Sequence, residues 1–259
     1  MAFHPSLLEP ILSFIIVLGY HVWLVYSVIA APESTVIGLT RNARRKWCYV
    51  IAQKKDGVLC VQTLRNWLMA SSLLATVSVS LVVGLAAFMG QRSRMSAFPE
   101  TDDGVRVKWK IIILMSCFAS SFFCFTQSMR YFIHVGFFAT AAFALPPQFP
   151  PYNPLTHGPV SLPNANGDSA YSEANGNGVA VEEGEDSLSR DVRTLASLLN
   201  LGGLFHTLGL RGFYLTFPVI LWLFGQWLLL ASTIVLVMVL VMLDVNFAFF
   251  YGRRGRIRI

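Results

Sequence analysis

Residues 125–134 read FTQSMRYFIH and set Thr126, Gln127, Arg130, Tyr131 and His134 inside a long apolar run. Thr126, Arg130 and His134 recur at i, i+4 and i+8, so on a helix they form one polar stripe, flanked by Gln127 and Tyr131. An arginine in hydrocarbon is costly and needs a partner, a water-filled cavity or an interfacial position. Such a stripe suits an anion-binding or gating centre, or a structural ion pair. The carboxylates within apolar stretches are Glu9 and Asp244. Either could pair with Arg130, and His21, Tyr20 and Gln226 could add hydrogen bonds. An enzyme centred on His134 has no supporting motif.

The elements that must position these residues follow from composition. Hydrophobic residues make up 54% of the 259-residue chain and charged ones 13%, well under the soluble norm of about 25% charged. Four apolar stretches, at 7–29, 67–90, 111–145 and 213–243, each reach the roughly 20 residues that a spanning helix needs. They lack the period-2 alternation of barrel strands. A cleaved signal peptide fits the first stretch poorly, since it has no basic leader, runs long and carries Glu9, His21 and Trp23. The third stretch would make about 52 Å of helix, too long for one upright span across a core of about 30 Å. Counting twenty residues from Lys110 reaches Arg130, which is one bilayer thickness. Arg130 then either marks the far interface, with the helix continuing beyond it, or is enclosed by the bundle.

The segment 34–66 holds Arg41, Arg44, Arg45, Lys46, Lys54, Lys55 and Arg65 against a single acid, Asp56. Apolar residues at helical spacing (Ala43, Trp47, Val50, Ile51) make it either a solvated juxtamembrane loop or a basic amphipathic helix on anionic headgroups. Lipid, rather than nucleic acid, is the expected partner of these bases. Residues 146–189, rich in Pro, Gly, Asn and acids, read as a disordered loop. Within 190–251 an interfacial helix, interrupted at Gly202-Gly203, is expected to precede the last span, and 252–259 form a basic tail. Four spans put both termini on one side. Bases then divide almost evenly between the two faces; the bases after the first span favour termini outside, while the tail objects. An odd number of spans would remove the conflict.

No chemistry of a known enzyme class is legible. Cys48, Cys60, Cys117 and Cys124 have neither CxxC spacing nor companion histidines, and no nucleophile elbow, HExxH or phosphate-binding loop occurs. No cofactor, metal or catalytic residue is expected. Serines and small residues on the second and third stretches suit close helix packing.

The segments TVIGL (35–39), DGVLCVQTLRNWLMASSLLA (56–75), FTQSMRYFIHV (125–135) and GLRGFYLTFPVILWLFG (209–225) resemble a plant family of membrane proteins known as domain of unknown function 599. The resemblance covers nearly the whole chain apart from 146–189 and the tail. It implies a helical multi-span protein and draws attention to Gln127, Arg130 and His134, but brings no activity, substrate or cofactor.

The expectation is therefore an all-α membrane protein with about four transmembrane helices, interfacial amphipathic helices and one long disordered loop. Its activity is unassigned. A structural or interaction component, alone, as a homo-oligomer or with other membrane proteins, is one reading. A small oligomeric transporter or channel subunit centred on Arg130 is the other.

Overall fold

The computed structural model describes residues 8–54, 56–94, 102–144 and 179–245, and these are almost wholly helical. The helices are α1 (Leu8–Ala30), α2 (Val36–Lys54), α3 (Gly57–Arg94), α4 (Asp102–Ala144), α5 (Val179–Trp222) and α6 (Gln226–Asp244), with a 3-10 turn, Pro32–Ser34, between α1 and α2. All but α2 are long and apolar enough to cross a membrane. Among the described residues that makes five candidate spans where the sequence suggested four.

The difference arises in the last apolar stretch. The stretch 213–243 does not form one helix: α5 ends at Trp222 and α6 begins at Gln226, with a turn in which Gly225 N–H reaches the carbonyl of Leu221. The break expected at Gly202-Gly203 is absent, and α5 runs straight through it. In an apolar setting a broken helix leaves backbone groups unpaired, so continuity is favoured, and both glycines serve close packing instead. The start of α5 at Val179 also corrects the C-terminal part of the stretch read as disordered. The rest of 146–178, and the tail 252–259, lie outside the described residues.

Helix starts carry local signals. Thr35 Oγ1 accepts the Gly38 N–H at 3.2 Å and caps α2. Asp56 Oδ1 accepts the Leu59 N–H at 3.0 Å and caps α3, so this helix begins well before the expected position 67.

The core is built on α4. Its buried residues are Ile111, Leu114, Phe118, Ser121, Phe125, Ser128, Phe132, Val135 and Ala139, an unbroken alternation of three- and four-residue steps. That heptad spacing keeps one seam against its partners. α5 answers with small residues: a Cβ on Gly209 would lie 2.7 Å from Cε1 of Phe125, and one on Gly202 2.8 Å from Cε1 of Phe132. Ser128 Oγ donates to the Gly202 carbonyl at 2.9 Å. Close approach over glycine, with hydrogen bonds between helices, is how helices associate where hydrocarbon offers no hydrophobic drive.

Contacts also fix the ends of the bundle. The isolated bridge between Thr35 and Val245 sets the end of α6 beside the start of α2. Farther along α2, Cys48, Ile51 and Ala52 pack with Phe132, Val135 and Ala139 of α4 and Val192, Leu195 and Leu199 of α5. Thus the apolar face of α2 is spent largely on the protein rather than on lipid, and Val50, expected on that face, is exposed. At the other end Lys110 Nζ donates to the Trp222 carbonyl at 2.9 Å, satisfying one of the acceptors that end α5.

Candidate functional site: a buried ion pair beside an arginine-lined cavity

The arginine held inside the bundle is Arg211, not Arg130. Arg211 lies on α5, eleven residues before Trp222. Long helical side chains lean toward the N-terminus of their own helix, which carries the guanidinium toward the end where α6 finishes. There Nη2 donates to Asp244 Oδ2 at 2.6 Å, and Nη1 donates to the Tyr20 oxygen at 3.3 Å. The Tyr20 hydroxyl donates to the same Asp244 oxygen. Arg211 also lies over the Tyr20 ring, 5.9 Å from its centroid. All three residues are buried, at 6–8% exposure. One closed network thereby joins α1, α5 and α6, and Leu24 and Leu240 seal it on the apolar side.

The stripe singled out in the sequence is placed differently. Arg130 and His134 are exposed, while Thr126, Gln127 and Tyr131 are half-buried. The heptad seam explains this, since 128 and 132 point inward and 130 points out. Asp244, offered as a counter-ion for Arg130, is taken by Arg211, and Arg130 has no ion pair or hydrogen bond with a described residue. Thr126 Oγ1 donates back to the carbonyls of Phe122 and Phe123, and Tyr131 stacks on Phe205 of α5 with centroids 5.5 Å apart. Glu9 stays near the start of α1, with Oε2 enclosed and without a hydrogen bond among the described residues. Gln226 opens α6. His21 Nδ1 lies 2.8 Å from the Val17 carbonyl.

Beside the ion pair, α1, α2 and α5 enclose a cavity of about 520 Å³. Arg211 and His21 lie on its wall, as do Arg41, Arg44 and Arg45 of α2, Thr40, Ser197, Asn200, Gly203 and Thr207, and leucine, valine and isoleucine side chains line the remainder. No Asp or Glu is among the lining residues. Arg44 Nε donates to Asn200 Oδ1 at 2.8 Å, and its guanidinium lies across Gly203, where a Cβ would meet Cζ and Nη1 at 3.1 Å. Burial lowers the pKa of Arg44 from its ordinary value; Arg41 adds to that effect while Cys48 opposes it. The other members of the expected lipid-surface patch, Lys46 and Lys54, are exposed, and Lys55 lies outside the described residues.

A third polar contact lies deeper among the long helices. Ser71 Oγ and His206 Nδ1 are 3.0 Å apart, with the His206 ring edge-on to Trp67 and Phe125. Ser71 is fully enclosed and no carboxylate orients the imidazole among the described contacts, so the pair is an interhelical tie. The signal for Arg211 was present in the sequence as the only base between Arg193 and Arg253, matched to the acid that closes the last apolar stretch.

Five helices fit to span a bilayer, two of them tied by an ion pair that hydrocarbon would not tolerate unpaired, define an integral multi-span membrane protein. The chain belongs to the DUF599 family, described as proteins of unknown function, whose profile matches residues 10–249. Comparison with curated proteins gives no match, and comparison with solved structures gives none.

Proposed function

We propose that the protein is a membrane-embedded binding and interaction component, acting without catalysis, whose basic end faces the cytoplasm and rests against anionic headgroups. The observation that carries this reading is the odd number of candidate spans. With five crossings, α2 and the chain leaving α6 fall at the same end, as the Thr35–Val245 bridge requires. Arg41, Arg44, Arg45, Lys46, Lys54 and Lys55 then share that end with Arg253, Arg254, Arg256 and Arg258 of the tail. The opposite connection offers Arg92, Arg94, Arg106, Lys108 and Lys110. Excess Lys and Arg in short loops selects the cytoplasmic face, so the near tie reached with four spans gives way to a clear preference, with the N-terminus on the far side.

A transport reading centred on Arg130 loses its support, because that side chain is exposed on the outer face of α4. Acceptor sites for N-glycosylation fused ahead of Met1 and after Ile259 test the orientation in microsomes. Modification of the N-terminal acceptor alone is expected; modification of the C-terminal one alone, or of both, overturns it.

A further inference from the structure

The cavity between α1, α2 and α5 has the build of a ligand site, and we infer that it binds one anionic amphiphile, a phosphate headgroup held by the α2 arginines with its hydrocarbon chain laid along α1. This deepens the reading above and rests on it in one respect, that the ligand is drawn from the leaflet at the basic end.

The charge balance points to an anion. Arg41, Arg44 and Arg45 line the cavity, and Arg41 precedes the other two by three and four residues, where like charges on a helix repel. Arg211 has its counter-ion in Asp244, but among the described residues Arg41 and Arg45 have no hydrogen-bond or ion-pair partner, and Arg44 is held by the neutral amide of Asn200. Three guanidinium groups thus border a space with no carboxylate on its wall. Arg44, the half-buried one, is fixed by Asn200 and by the room that Gly203 leaves, so its outer nitrogens are set in advance. A planar fork of this kind suits the paired oxygens of a phosphate.

The apolar wall points to a tail. A volume of about 520 Å³ falls in the usual range for small-molecule sites, too little for a whole diacyl lipid but enough for a headgroup and its first carbons. Val25 and Ile29, which line the same cavity from α1, are 58% and 76% exposed. On a spanning helix that exposure is to hydrocarbon, so the cavity opens sideways into the leaflet and the chains need not fit inside.

Binding of dioctanoyl phosphatidic acid to the full-length protein in a neutral detergent micelle, read by native mass spectrometry, tests the site. Dioctanoyl phosphatidylcholine and inorganic phosphate serve as comparison ligands. The expected result is at least tenfold tighter binding of phosphatidic acid than of either. The variant Arg41→Gln/Arg45→Gln alters exposed side chains and should lose at least tenfold, and Arg44→Gln a similar amount, while Arg92→Gln/Arg106→Gln, which removes equal charge from exposed positions at the opposite end, should change binding less than twofold. Equal losses in the cavity and opposite-end variants, or none in either, overturn the site. Full competition by inorganic phosphate at matched concentration overturns the amphiphile and leaves a free-anion site. Micelles have no sidedness, so a reversed topology would leave this measurement unchanged and the two failures can be told apart.

Discussion

The guanidinium of Arg211 donates to the carboxylate of Asp244 at 2.6 Å and thereby fastens the middle of α5 to the last residue of α6. Removing one partner leaves a buried charge uncompensated, which costs about 3–5 kcal/mol. Asp244→Asn and Arg211→Gln are each expected to lower stability by that order, read from unfolding in mixed detergent. The apolar double variant Arg211→Met/Asp244→Leu should lose much less than the sum, because it strands no charge. Tyr20→Phe removes only the hydroxyl and should cost about 1 kcal/mol.

Gly209 is a point of the α4–α5 seam where an added methyl would meet an aromatic ring. Gly209→Ala sets a methyl 2.7 Å from Cε1 of Phe125, whose ring is fully enclosed, and should cost about 1–3 kcal/mol as overpacking. Adding Phe125→Leu should restore part of the loss. Gly84→Ala is the control: nothing lies within 4 Å of the new methyl, and mid-helix alanine gains about 0.5–1 kcal/mol over glycine, so thermal melting should rise slightly.

Lys110 holds the Trp222 carbonyl and lies 5.1 Å above that residue's ring centroid. Lys110→Met is expected to loosen the turn between α5 and α6 while leaving the rest of the bundle intact. Hydrogen exchange at the amides of Leu223, Phe224 and Gly225 should speed up; unchanged exchange there would show that the lysine does not restrain the turn.

Burial pushes the Cys48 thiol up to about 12, so at pH 8 about one molecule in ten thousand carries the thiolate. Alkylation of the folded protein should therefore spare Cys48 and label it only after unfolding. The sign for stability follows: the fold favours the neutral thiol, so its contribution is complete below the unfolded value near 9 and declines as pH rises toward 12. Cys48→Ala should flatten that alkaline decline.

The apolar stretches made the helices and their membrane setting legible from sequence, and the heptad on α4 was there to be read from Ile111 to Ala139. What hydropathy could not supply was direction around the helix. Arg130 drew attention because its polar neighbours are contiguous, yet a two-residue offset from Ser128 turns it outward. Arg211 does not stand out in the sequence because its partner stands 33 residues away, and only folding the last stretch into a hairpin brings them together. The glycine pair at 202–203 was read as a breaker, since a one-dimensional pattern does not reveal that Phe132 and Arg44 need the space. The turn at Leu223–Gly225 has one glycine and no proline next to it, so continuous hydropathy hid the fifth span.

The distance in sequence between Arg211 and Asp244 also sets an order of events at the ribosome. α5 leaves the ribosome ahead of α6, so for an interval the Arg211 guanidinium reaches the translocon ahead of the carboxylate that it will meet. A chain stopped before Gln226 would keep that charge unmatched, and pulse-chase should show faster turnover for it than for the full-length protein. Arrival of α6 then completes the pair, because Asp244 supplies the carboxylate that Arg211 meets.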